Sequence, residues 1–122
     1  MSMQMRRSLL CSLFTVLLFT ITPGPVPSAS QESLIYITRI NDTVTPGTAA
    51  YIDRAVETAE SNQARAVIIM LDTPGGLVSS TLDIVKIINA SRVPVITYVT
   101  PRGAISASAG TFILLSGHLA AM

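Results

Sequence analysis

Apolar positions change their period several times along this chain, and each change marks an element. Leu34 to Ile40 is β-branched and aromatic and predicts a first strand, closed by the turn signal Asn41-Asp42. Thr45-Pro46 has the form of an N-cap followed by proline in the first helical turn. Beyond it Ile52, Ala55, Val56 and Ala59 recur at i, i+3, i+4 and i+7, while Asp53, Arg54, Glu57 and Glu60 occupy the other face. That pattern predicts an amphipathic helix ending near Ser61-Asn62. Ala66 to Leu71 is a continuous apolar run, the signature of a strand covered on both faces. Leu82, Ile84, Val85, Ile87 and Ile88 suit a second helix reaching about Asn89. Residues 93–99 predict a third strand and about 106–121 a third helix. The alternation β-α-β-α-β-α argues for an α/β fold of repeated β-α units around a parallel sheet with right-handed crossovers.

The first thirty residues follow a different rule. Arg6-Arg7 precede an apolar stretch from Leu9 to Ile21, Pro23-Gly24-Pro25 breaks it, and Ser28-Ala29-Ser30 supplies small residues. This order predicts a signal peptide over residues 1–30, cleaved before Gln31, and hence export across the cytoplasmic membrane. The stretch is shorter than the ~20 residues needed to span a bilayer core, which disfavours a permanent anchor. Removal of 1–30 also removes Cys11, the single cysteine, and with it any disulfide. The remaining segment, 31–122, ends at Leu119-Ala120-Ala121-Met122 inside an apolar pattern with no polar cap. It therefore reads as the N-terminal portion of a longer, truncated domain.

From Gln31 onward six basic residues face seven acidic ones, a net charge of −1. With no basic stripe and no aromatic platform, nucleic-acid binding is not expected. No His/Cys cluster has metal-ligand spacing and no Gly-x-x-x-x-Gly-Lys loop occurs, so neither a metal nor a nucleotide cofactor is expected.

Chemistry concentrates in two turns that each follow an apolar run. In parallel α/β sheets, ligands collect at the carboxyl ends of strands, where both turns fall. Asp72-Thr73-Pro74-Gly75-Gly76 offers backbone N–H groups that no side chain shields, as an oxyanion hole requires. The same glycines could serve turn geometry alone. In the second turn, Ser108 stands among Ala107, Ala109 and Gly110 at a predicted helix start. A nucleophilic serine needs such small neighbours and a helix N-terminus. Ala109 would share the oxyanion with Gly76. Ser106 or Ser108 could instead merely cap the helix, and position 106 is not glycine, so the segment is no Gly-x-Ser-x-Gly elbow. An alanine at Gly76 is expected to displace a donor while the fold persists. A base is harder to find. His118, ten residues beyond Ser108 on the same predicted helix, would lie about 15 Å away. Lys86, the single lysine, reads as snorkelling to solvent.

Asp72-Thr73-Pro74-Gly75-Gly76-Leu77-Val78, the run Pro94 to Ala104, and Ala107-Ser108-Ala109-Gly110-Thr111 together resemble the NfeD family, membrane-bound serine proteases of the ClpP class on the ClpP/crotonase fold. The resemblance runs from about Leu34 to Met122. It implies Ser108 as nucleophile, with Gly75, Gly76 and Ala109 at the oxyanion hole. It implies a Ser-Lys dyad whose lysine lies beyond position 122 and is not Lys86. Ile105 and Ser106 depart from relatives that carry a polar or basic residue and an alanine there. The implied function is a membrane-associated serine endopeptidase cleaving apolar peptide segments, with a stomatin-like membrane protein as substrate, in a homo-oligomer, and with no cofactor. A catalytically silent scaffold of the same fold is the main alternative. A crotonase-like acyl-CoA enzyme, which also uses paired N–H donors, fits export and Ser108 less well.

Overall fold

The computed structural model describes residues 33–122. The stretch read as a signal peptide, 1–30, lies outside the described residues. The elements run β1 (Ile35–Ile40), α1 (Pro46–Ser61), β2 (Ala66–Leu71), α2 (Val78–Ala90), β3 (Val95–Val99), α3 (Ala109–Ser116) and β4 (Leu119–Ala121). All strands pair in parallel in the order β1-β2-β3-β4, with Ile35 opposite Ala66, Val67 opposite Val95 and Ile96 opposite Leu119.

Side-chain alternation sorts the sheet into two unlike faces. Thr38, Ile40, Val67, Ile69, Leu71, Val95 and Thr97 are buried on one of them. There they meet Ile52 and Val56 of α1, Ile84 and Ile88 of α2, and Ile113 and Leu114 of α3, the helices packing side by side in sequence order. On the opposite face Ile37 is 64% exposed and Ile35, Tyr98 and Leu119 also reach solvent.

The helix starts differ in chemistry. Thr45 caps α1 through a reciprocal pair: Thr48 N–H donates to Thr45 Oγ1 at 3.3 Å, and Thr45 N–H donates to Thr48 Oγ1 at 3.2 Å. The far end of α1 is tied down by Glu60, which accepts from Arg92 N–H at 2.7 Å and from its guanidinium at 2.8 Å. The Arg92 backbone N–H, and then its guanidinium, hold the Glu60 carboxyl below its ordinary range.

One predicted element is corrected. The third helix does not run from 106 to 121; it spans Ala109–Ser116, and the chain then turns into β4. Thr97 Oγ1, buried on β3, donates to Leu114 O at 2.7 Å and lies 3.3 Å from Leu119 O, so one hydroxyl satisfies a terminal helix carbonyl beside the start of the new strand. Gly117 is needed at this junction because a Cβ there would collide with Thr97 Oγ1. His118 then engages Val95 twice: its N–H donates to Val95 O at 2.9 Å, and its Nδ1 accepts from Val95 N–H at 3.1 Å. The apolar run Leu119-Ala120-Ala121 continues as a strand on the edge of β3.

Candidate active site

The two turns singled out by sequence meet above the carboxyl ends of β2 and β3. A Cβ built on Gly75 would lie 2.8 Å from Ser108 Cβ and 3.1 Å from Ala109 N, so the turns touch where glycine alone leaves room. Gly75 has φ 115°, a conformation that L side chains rarely adopt. Gly76 is required for a different reason. A Cβ there would run into the backbone of Val44, with which Gly76 forms a parallel bridge. The expectation that an alanine at 76 leaves the fold intact is therefore overturned by this close backbone approach.

Of the N–H groups expected to hold an oxyanion, that of Gly75 is engaged, donating to Thr73 Oγ1 at 3.1 Å. Those of Gly76 and Ala109 have no hydrogen-bond partner among the described residues. Ala109 opens α3, where the first N–H groups of a helix lack intrahelical acceptors. Geometry also orients Gly76. Gly75 O accepts from Val44 N–H at 2.8 Å, and in a trans peptide the N–H points opposite to the carbonyl. The Gly76 N–H is thus turned away from Val44.

Ser108 stands at the N-cap of α3 with φ 50° and ψ −117°, and its side chain makes no capping bond. A non-glycine residue held there stores on the order of 1–3 kcal/mol, and such strain gathers at functional sites. The side chain is exposed. Ser106, the other serine of the turn, is not a cap either. It sits two residues before the N-cap of α3 in a bridge with Thr73, with its Oγ buried and without a partner among the described residues, packed against Gly110. The alternative in which either serine simply caps the helix does not describe this turn.

Ser108, Gly76 and Ala109 line a groove of about 660 Å³ between α2 and α3. Val78, Leu82 and Val85 form one wall and Phe112 and Leu115 the other, and Phe112 is 66% exposed. Asn89, Ser116 and His118 close its far end. His118 was expected on the third helix. It stands past the end of α3, a helix of roughly 12 Å by its eight residues, in the link to β4. Lys86 is on the outward side of α2, paired at 3.7 Å with Asp83, both side chains largely exposed, and it does not line the groove. Among the described residues no three His, Cys, Asp or Glu side chains gather as metal ligands.

Sequence reading missed Thr73 as a builder of the site and left Asp72 as a residue that could orient a group or merely close its strand. Asp72 Oδ1 accepts from Ile105 N–H at 3.1 Å, and buried Thr73 bonds to both turns. Their one sequence signal was position, directly before Pro74-Gly75-Gly76.

Residues 34–122 match the NfeD1b N-terminal domain family. The chain belongs to this family. A membrane-bound protease of Pyrococcus horikoshii is 42% identical over 97% of the chain, which spans 25% of that relative. The membrane protein NfeD1b of Bacillus subtilis is 29% identical over 85% of the chain and 23% of its own length. The chain thus spans about a quarter of the length of the curated relatives it matches. Among solved structures, a membrane-bound stomatin-specific protease, as a lysine-to-alanine variant in complex with a substrate peptide, is 44% identical with a TM-score of 0.73, over 75% of this chain and 42% of that one. ClpP1 of Listeria monocytogenes, at 22% identity and a TM-score of 0.61 over 66% of this chain and 46% of its own, shares the fold. The NfeD1b N-terminal domain here is therefore an α/β, ClpP-like fold, with relatives that are membrane-bound proteases. No helix among the described residues is long and apolar enough to cross a membrane.

Proposed function

We propose that this chain carries the nucleophile and oxyanion hole of a membrane-associated serine endopeptidase that cleaves apolar peptide segments. The observation that carries the reading is one conjunction. A strained, exposed, uncapped Ser108 stands beside the unengaged N–H groups of Gly76 and Ala109, at the mouth of an apolar groove. Ser108 Oγ attacks the scissile carbonyl carbon, and the carbonyl oxygen becomes an oxyanion that accepts from the two N–H groups. Collapse breaks the C–N bond, releases the amine and leaves an acyl-Ser108 ester, which water hydrolyses. A hydroxyl needs a base for the first step. That base is a lysine outside these 122 residues, which accepts the Ser108 proton and returns it to the leaving amine.

The substrate reading follows from the groove walls. Val78, Leu82, Phe112 and Leu115 expose apolar surface along the groove, and covering it with apolar side chains of a substrate is favourable. A stomatin-like membrane protein is the proposed source of such segments, a reading supported by the similarity to a stomatin-specific protease. Residues 1–30 act in this reading as an export signal, so N-terminal sequencing of exported protein begins at or near Gln31.

The deciding experiment is labelling of the full-length protein with a serine-directed fluorophosphonate, followed by peptide mass spectrometry. The adduct is expected on Ser108 and absent from Ser108→Ala. An adduct on Ser106 overturns the assignment of Ser108, and none at all in a folded full-length protein leaves a silent scaffold of the same fold.

A further inference from the structure

We propose that Thr73 is the positioning residue of this site, the side chain that holds the Gly75–Gly76 turn and the Ser108 turn in one geometry. The inference rests on the reading of Ser108 as nucleophile and of Gly76 and Ala109 as oxyanion donors.

Thr73 is fully buried and uses every polar atom it has. Its Oγ1 donates to Asp42 O at 2.7 Å and accepts from Gly75 N–H at 3.1 Å. Its own N–H donates to Ile105 O at 2.8 Å, and its carbonyl accepts from Ala107 N–H at 3.1 Å. One residue therefore joins three segments: the loop after β1, the glycine turn, and the strand-like approach to Ser108. Asp72 reinforces the tie to the third segment through Ile105 N–H.

The consequence for the oxyanion hole is geometric. Gly75 is held at both ends, its N–H by Thr73 Oγ1 and its carbonyl by Val44 N–H. With both neighbouring peptide planes fixed, the direction of the Gly76 N–H is fixed as well. Without Oγ1, the Gly75 N–H loses its buried acceptor and Gly75 O loses the 3.4 Å approach of that hydroxyl, so the Gly75–Gly76 peptide keeps only the Val44 bond on its carbonyl and its donor is aimed less firmly. An oxyanion donor acts through its pre-set direction, so a small rotation weakens it in the transition state more than it weakens substrate binding. The methyl group of Thr73 contributes separately, through packing, since it lies 2.8 Å from where a Cβ on Gly110 would stand.

The hydroxyl and the methyl can be separated in the full-length protein. Thr73→Val keeps the shape and removes Oγ1, whereas Thr73→Ser keeps Oγ1 and removes the methyl. Hydrolysis of an apolar fluorogenic peptide gives kcat and KM, fluorophosphonate labelling of Ser108 gives a rate independent of substrate binding, and circular dichroism reports folding. In Thr73→Val, kcat and the labelling rate are expected to fall by about 10²-fold while KM changes by less than about threefold. Thr73→Ser is expected to stay within about threefold of wild type in all three. If Thr73→Val does not fold, Thr73→Ser carries the test alone: a loss of kcat near 10²-fold there assigns Thr73 to packing and overturns the proposal. A folded Thr73→Val with wild-type kcat overturns it too, without touching Ser108. Wild type that never labels at Ser108 overturns the nucleophile reading and this inference with it.

Discussion

Two helices of this fold begin with a hydroxyl residue at the N-cap, and they use it in opposite ways. Thr45, ahead of α1, has φ −130° and closes a reciprocal pair with Thr48. Ser108, ahead of α3, has φ 50° and makes no capping bond. At the first site the backbone is relaxed and the hydroxyl is consumed by the helix. At the second the backbone is strained and both the hydroxyl and the Ala109 N–H stay unspent. A cap that omits its stabilising bond and stores strain is a poor structural element, and that is the physical ground for reading it as a reactive one.

The sharpest way to break the comparison is to remove each hydroxyl. In the full-length protein, Ser108→Ala is expected to lower peptide hydrolysis by roughly 10⁵-fold or more, because no other group there can form the acyl ester. Its Tm should hardly move, since no cap bond is lost. Ser108→Gly should be equally inactive yet more stable by about 1–2 kcal/mol, because glycine tolerates the positive φ. Calorimetry of the two variants checks this, and a Ser108→Gly less stable than wild type would remove the strain argument.

Gly76→Ala comes next in size. Its methyl would press into the Val44 backbone, which cannot move as a flexible side chain does. Destabilisation of about 3 kcal/mol or more is expected, seen as loss of soluble, folded protein. A folded, inactive Gly76→Ala would instead restore the expectation drawn from sequence, in which the glycine matters only as a donor.

Thr45→Ala should be the mirror image of Ser108→Ala. Losing the Thr45–Thr48 pair costs about 1 kcal/mol, seen as a lowered Tm, with Ser108 labelling unchanged. The contrast holds only if stability and chemistry separate in this way.

How much of this could be read from the residues alone depends on range. The run Ala66 to Leu71 and the i, i+3, i+4 spacing of Ile52, Ala55 and Val56 are local patterns, and the strand and helix stand where those patterns put them. The family motifs brought Gly76, Ser108 and Ala109 to notice, and they do line one groove. The break after Ser116 was also written locally, as Gly117, but the apolar Leu119-Ala120-Ala121 reads equally as helix until its partner strand β3 is known. What no local pattern carries is the sign of φ at Ser108, or a threonine bonded to residues some thirty positions away. Those depend on two distant turns arriving together.

Ser106→Ala is the smallest effect and the finest test of the comparison, because it adds a third hydroxyl to the series. As a helix cap, Ser106 would lose about 1 kcal/mol on conversion to alanine. In the structure its Oγ is buried beside Gly110 and bonds to nothing among the described residues. A buried hydroxyl without a partner has given up its water and gained no bond, so deleting it should be neutral or stabilising by up to about 1 kcal/mol. Its backbone contacts, including the Thr111 Oγ1 bond to Ser106 O at 2.8 Å, survive the substitution. Fluorophosphonate labelling at Ser108 should proceed at the wild-type rate. A Tm several degrees lower would mean that the hydroxyl is partnered after all. A slowed labelling rate would bring Ser106 into the chemistry and narrow the difference between the two helix starts.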